Sequence, residues 1–120
     1  MEIREISREA LKPIYDQHMV QDFPADELKP WTAIEALYER GVYRGYGLYD
    51  GDELLAYACF TRQAEDNWLL LDYYAVCAAY RSHGYGSQFL TKLWQSLQDV
   101  QGIFVEIELI ESAKDEAERQ

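Results

Sequence analysis

LLLDYYAVCAAYRSHGYG, residues 69–86, decides the fold. An apolar, strand-like run, LLLDYYAV, empties into Arg81-x-x-Gly84-x-Gly86. Beyond it Phe89, Leu90, Leu93, Trp94 and Leu97 recur at the spacing of an amphipathic helix. A strand, a glycine loop and a helix in that order make an anion site. Glycines let the backbone approach a ligand closely. The first-turn N–H groups of the helix lack intrahelical partners and all point along the positive end of its dipole. A pyrophosphate fits that description.

Outward from this stretch, the elements read in turn. Residues 2–6 form a short β segment, and Ser7 can cap the helix that follows. In that helix Leu11, Ile14, Tyr15, His18 and Met19 share one face, and Phe23-Pro24 ends it. A second helix runs from about Pro30 to Arg40, with Trp31, Ile34, Leu37 and Tyr38 inward and Gly41 as its stop. From Tyr43 the period changes to two. Residues 43–49 and 54–61 are strands joined by Asp50-Gly51-Asp52, where Asp-Gly supplies the positive φ angles of a tight hairpin. Residues 63–67 are a polar turn, and residues 68–76 are the most apolar strand, expected in a central, covered position. Gly102 breaks the chain before residues 103–109, which alternate strictly.

Composition sets limits. A chain of 120 residues makes one compact domain, residues 1–120. Eleven Lys+Arg against 22 Asp+Glu give a net charge of −11, which argues against nucleic acid as a partner. Any anionic ligand must then be held locally, by oriented amides and a few cations, which puts weight on Arg81. The charged N-terminus is no signal peptide, and no run approaches the roughly 20 apolar residues of a membrane span, so the expectation is a cytoplasmic protein with no membrane partner. Cys59 and Cys77 read as small buried hydrophobes, with no spacing that suggests a metal.

The order β-α-α-β-β-β-α-β, with LDYYAV followed by YRSHGYGSQFL between the fourth strand and the last helix, resembles the acetyl-CoA-binding motif of the GNAT N-acetyltransferase superfamily. That pattern is Arg or Gln, two residues, Gly, one residue, Gly or Ala. The resemblance covers nearly the whole chain. It implies an α+β fold of the α/β sandwich type: a mixed, mostly antiparallel sheet flanked by helices. It also implies acetyl-CoA as co-substrate and transfer of the acetyl group to a primary amine on a small-molecule or peptide acceptor. By position, Arg81, Ser82, His83, Gly84, Tyr85, Gly86 and Ser87 would hold the pyrophosphate, chiefly through backbone N–H groups. Val76, Cys77 and Ala78 match the segment that pairs with the pantetheine arm and offers an oxyanion donor to the thioester. Phe23, Pro24 and Trp31 fall near the acceptor cleft.

Amine acetylation also needs a base. Asp72 lies near where the family often carries a carboxylate, and Glu106, on the last strand, is a second candidate. A hydrogen-bonded strand Asp and a solvated Glu face are the alternatives. Against the family pattern, the fold is expected to be C-terminally incomplete. Only ESAKDEAERQ follows residue 110, Ser112 with Asp115 reads as a helix start, and the tyrosine that commonly serves as the acid is missing. Either a fragment or a natural short form accounts for this, and an open last-strand edge invites a homodimer. A non-catalytic acyl-CoA-binding module and a plain interaction domain stay open beside the enzyme.

Overall fold

In the computed structural model, which describes residues 1–63, 68–97 and 102–105, five strands form one sheet in the order β1-β2-β3-β4-β5. They are β1 (Glu2–Ile6), β2 (Tyr43–Asp50), β3 (Glu53–Gln63), β4 (Trp68–Val76) and β5 (Gly102–Val105). The first four pair antiparallel, and β5 runs parallel to β4. Helices α1 (Arg8–Ile14), α2 (Val20–Asp22) and α3 (Trp31–Glu39) fall between β1 and β2, and α4 (Tyr85–Ser96) between β4 and β5. This is the mixed, mostly antiparallel α+β architecture expected from the sequence.

The first helix is drawn out into α1, a π-helical segment Tyr15–Met19, and α2. Ser7 Oγ accepts the Ala10 N–H at 3.1 Å, so the cap read from the sequence forms. Phe23 is extended ahead of Pro24 and closes the run. At the end of α3, Gly41 adopts φ 76°, its N–H reaches Tyr38 O at 2.9 Å, and Val42 N–H reaches Leu37 O at 3.1 Å. This pair of bonds is the Schellman arrangement that a left-handed glycine permits.

An apolar layer forms on each face of the sheet, because β3 alternates. Tyr57 and Cys59 join Ile6, Leu11, Ile14, Tyr15, Met19 and Ile34 on one side. Ala56, Ala58 and Phe60 join Leu48, Leu69, Phe89, Leu93 and Leu97 on the other. His18, placed on the apolar helix face by its spacing, is half-buried, with its ring 6.3 Å from that of Tyr57.

Four local readings change. The hairpin has positive φ at Gly51 alone, 63°, while Asp50 stays paired with Glu53, so glycine at the first central position does the turning. Gly102 does not interrupt the chain but opens β5 opposite Trp68, where an added Cβ would lie 2.1 Å from the indole ring. Close approach, not breaking, requires it. Strand β4 is inner in the sheet order, yet most of its side chains are only half-buried. The buried side chains of α4 pack with those of β2 and β3, leaving an apolar hollow of about 250 Å³ between Phe60, Leu71, Tyr74, Trp94 and Ile103. Gln63, read as the start of a turn over 63–67, instead ends β3 opposite Trp68, and the rest of that turn lies outside the described residues, as do the readings of Glu106, the rest of the last strand and the Ser112 helix start.

Candidate functional site

The pairing of β4 with β5 covers Trp68 to Leu71. Past Leu71, no strand among the described residues pairs with the outer edge of β4. What that edge presents follows from antiparallel geometry. Ala56 faces Val76, and Cys77 N–H donates to Leu55 O at 2.8 Å, so Val76 is a non-hydrogen-bonded partner of β3. Its own N–H and C=O therefore point away from β3, along the open edge, and two residues earlier Tyr74 does the same. Of the segment 76–78, the Cys77 amide is already engaged, while the Val76 N–H points along the edge.

A β-bulge lies upstream. Cys59 faces Tyr73 while Phe60 faces Leu71, so Asp72 is the extra residue of β4. Its side chain is 7% exposed, receives the Lys29 ammonium at 3.1 Å, and accepts the Thr61 hydroxyl at 2.9 Å. Lys29 sits between α2 and α3. Its backbone N–H donates to Tyr73 Oη at 2.8 Å, and its carbonyl accepts from Tyr15 at 2.7 Å, so this connection is tied down on the same face as the bulge. Phe23 packs edge-on against Tyr73 at 4.9 Å, and Trp31 against Tyr15 at 5.4 Å.

Downstream of β4, a 3-10 turn Ala78–Tyr80 leads to Arg81, then to Ser82 at φ 71° and Gly84 at φ 79°. Two left-handed residues within three positions fold the loop back onto α4. Gly84 caps α4 without a side chain, and the first intrahelical bond is Gln88 N–H to Gly84 O at 3.4 Å. The amides of Tyr85, Gly86 and Ser87 precede that bond at the helix N-terminus. Space above the loop is open, since a Cβ on Gly84 would meet nothing within 4 Å. Below it the fit is tight. Tyr74 donates to Gly86 O at 2.7 Å, and a Cβ on Gly86 would stand 2.9 Å from the same hydroxyl. An open upper side and aligned amides fit an elongated anion laid across the helix start.

The sequence offered Arg81 as a local cation for that anion, and the structure instead engages its exposed side chain with acceptors of the protein itself. Its Nε donates to Val76 O at 2.9 Å and its Nη2 to Asp22 Oδ1 at 2.9 Å. The other Asp22 oxygen accepts the Tyr57 hydroxyl at 2.7 Å. Burial, and then the Asp22 carboxylate, raise the Tyr57 pKa above its ordinary value. His83 lies exposed on the loop, Nδ1 3.0 Å from Tyr80 O, its ring stacked on Tyr85 at 5.8 Å. Cys77 and Cys59 are free, buried thiols pushed up to about 11 and about 12 by burial. They act as apolar filling, as the sequence suggested.

The structure thus gathers Val76, Cys77, Ala78 and Arg81 to Ser87 into one strand end and loop, with Asp72 four residues up the same strand. Glu106 lies outside the described residues. Sequence reasoning missed Asp22, Lys29, Tyr57 and Tyr74. One signal was available: Asp22 ends a helix, where a negative charge meets the negative pole of the dipole. Among the described residues no group of three His, Cys, Asp or Glu side chains could hold a metal ion, and no helix is long and apolar enough to cross a membrane.

The chain matches the family model of the acetyltransferase (GNAT) family over residues 2–119. No curated protein sequence matches it significantly. Among solved structures it is similar to a GNAT-family protein of Bacteroides thetaiotaomicron, with a TM-score of 0.71, 16% identity, and coverage of 99% of this chain and 70% of that one. It is also similar to the ribosomal-protein-S18-alanine N-acetyltransferase of Escherichia coli, TM-score 0.67, 18% identity, covering 96% and 74%. A third is AAC(6')-Iy in complex with the bisubstrate analog CoA-S-monomethyl-acetylneamine, TM-score 0.60, 11% identity, covering 98% and 86%.

Proposed function

The chain belongs to the GNAT acetyltransferase family, and from that premise we propose that it transfers an acetyl group from acetyl-CoA to a primary amine. The single observation that carries the reading is the junction of β4 and α4. Outward-facing Val76 main chain, a loop with free space over Gly84, and three first-turn amides lie in one continuous segment. The amides of Tyr85, Gly86 and Ser87 would take the pyrophosphate, while Ser82 and His83 border it and Arg81 holds the loop from beneath. The Val76 N–H would hydrogen-bond the thioester carbonyl and stabilise the oxyanion as the amine attacks. In that step one proton leaves the ammonium so that the nitrogen can attack, the N–C bond forms, the C–S bond breaks, and a second proton passes from the nitrogen to the departing thiolate, giving the amide and the CoA thiol.

Asp72 is our candidate for taking the first proton. It would act from its pair with Lys29, whose ammonium at 3.1 Å marks where a cationic acceptor could be held. The neighbour names favour an amine: one acts on a ribosomal-protein alanine, another holds a CoA–acetylneamine conjugate. The net charge of −11 would steer cations inward. We place the reaction in the cytoplasm, in keeping with the two free thiols. Pairing of two chains along the outer edge of β5 is part of the proposal and is tested by light scattering, where a monomeric mass at high concentration removes it.

The test is melting with and without acetyl-CoA, followed by an assay of thiol release against a panel of amines. A ligand at 100 times its dissociation constant adds about 2.7 kcal/mol, a shift of several degrees. Stabilisation with turnover supports the enzyme. Stabilisation without turnover on any amine gives the acyl-CoA-binding module, and no stabilisation of a cooperatively folded chain removes both.

A further inference from the structure

Asp22 is in an unfavourable place for an acid, in the last turn of a helix, and its side chain is only 10% exposed. Both of its oxygens are used. Oδ2 accepts from Tyr57, a wholly buried residue on β3, and Oδ1 accepts from Arg81. Arg81 in turn reaches Val76 O through Nε. The Nε and Nη2 donors lie on one edge of the planar guanidinium, so a single rigid fork spans the Val76 carbonyl and the Asp22 carboxylate. Four residues from β3, α2, the loop and the end of β4 thus form one chain: Tyr57, Asp22, Arg81, Val76.

We propose that Asp22 is a positioning residue for cofactor binding, fixing the Arg81 fork so that the loop carrying the first-turn amides is held to the Val76 carbonyl at the end of β4. The inference rests on the proposed acetyl-CoA site. The physical reasoning is that Val76 C=O faces outward with no strand partner among the described residues, and an unanchored arginine that is half-exposed would prefer water to that carbonyl. The carboxylate holds the fork in register. A charge-assisted bond to a carboxylate is roughly twice as strong as a neutral one, so an amide in its place would hold the fork less well.

This role has a sign that simple electrostatics lacks. On a chain of net charge −11, removing a negative charge near an anion site should strengthen anion binding. Positioning requires the opposite. The experiment is titration calorimetry of CoA with wild type, Asp22→Asn and Tyr57→Phe, each first shown to melt cooperatively. Asp22→Asn should bind about tenfold more weakly, a difference of about 1.4 kcal/mol. Tyr57→Phe, which loosens the helix end but leaves the Asp22–Arg81 pair, should stay within about threefold. Equal or tighter binding by Asp22→Asn overturns the proposal, as does an equal loss in both variants. A second readout needs no ligand. The Arg81 Nε–H proton, followed by NMR, should exchange slowly with water in wild type and fast in Asp22→Asn, and equal exchange in the two overturns the proposal. If wild type does not bind CoA but the exchange rates differ, the cofactor reading fails while the relay stands.

Discussion

Tyr74 holds the start of α4 to β4 by donating to Gly86 O at 2.7 Å, and the same hydroxyl occupies the place that a Gly86 side chain would need, 2.9 Å from the Cβ position. The two residues are therefore matched in shape as well as hydrogen-bonded. Their matching predicts a measurable coupling. Tyr74→Phe should cost about 1 kcal/mol by loss of the bond, and Gly86→Ala a similar amount or more by contact with the hydroxyl. The double variant should lose less than the sum by about 1 kcal/mol, because phenylalanine removes the obstructing oxygen. Denaturant melts of the four proteins measure it, and strict additivity would show that the contact is not felt.

Gly84 predicts the reverse pattern. Its neighbourhood is empty within 4 Å and its φ is 79°, so substitution costs conformation alone. Gly84→Ala should lose about 1 to 2 kcal/mol of stability, and Gly84→Asn less, since asparagine tolerates the left-handed region. A bulky side chain at the same place would fill the volume assigned to the pyrophosphate. Gly84→Trp should abolish CoA binding while the chain still melts cooperatively.

Period and punctuation made most of the fold legible. The bounds of β4 are those read from the sequence, and the Ser7 cap, the Phe23-Pro24 stop and the Gly41 terminator all perform the local task their chemistry suggests. What stayed hidden is long-range. Asp22 and Arg81 are 59 positions apart, and Lys29 and Asp72 are 43 apart, so no local pattern announces either pair. Arg81 illustrates the difference. Its place in the motif was plain, but the direction of its side chain depended on an acid at the end of a distant helix. Gly102 was misjudged for the same reason, since its cause is the Trp68 ring on a neighbouring strand.

Alkaline pH should unfold the chain earlier than a surface-titrating protein. Burial pushes Cys77 up to about 11 and Cys59 up to about 12, from an ordinary value of 9.0. Chiefly through burial, Tyr38, Tyr43 and Tyr57 are raised from 10.0 as well. Between the unfolded and folded values the unfolded chain binds fewer protons, so stability falls as pH rises. The melting temperature should be unaffected by these groups below about pH 8 and decline steadily from about pH 9. The share of tyrosinate absorbance owed to these three of the ten tyrosines should appear with unfolding rather than before it. Ionisation of all ten tyrosines in a still-folded chain would contradict the burial.

Asp72 and Lys29 allow the proton-transfer role to be separated from a bracing role. Both residues take part in the 3.1 Å ion pair, but only Asp72 also holds Thr61, and only Asp72 can accept a proton from the acceptor. If the pair were simply a brace for the connection between α2 and α3, breaking it from either side would have the same effect. Replacing Lys29 leaves the buried Asp72 with the Thr61 hydroxyl as its partner, which costs stability, while the backbone of residue 29 stays tied to Tyr73 and Tyr15. Lys29→Met should therefore keep kcat within tenfold. Asp72→Asn should lower kcat a hundredfold or more, the size of a lost general base, with CoA affinity nearly unchanged because the pyrophosphate amides lie beyond Val76. The result that sinks the assignment is a parallel loss in both variants. That outcome would make Asp72 a brace and leave proton removal to water or to another group at the open edge of β4.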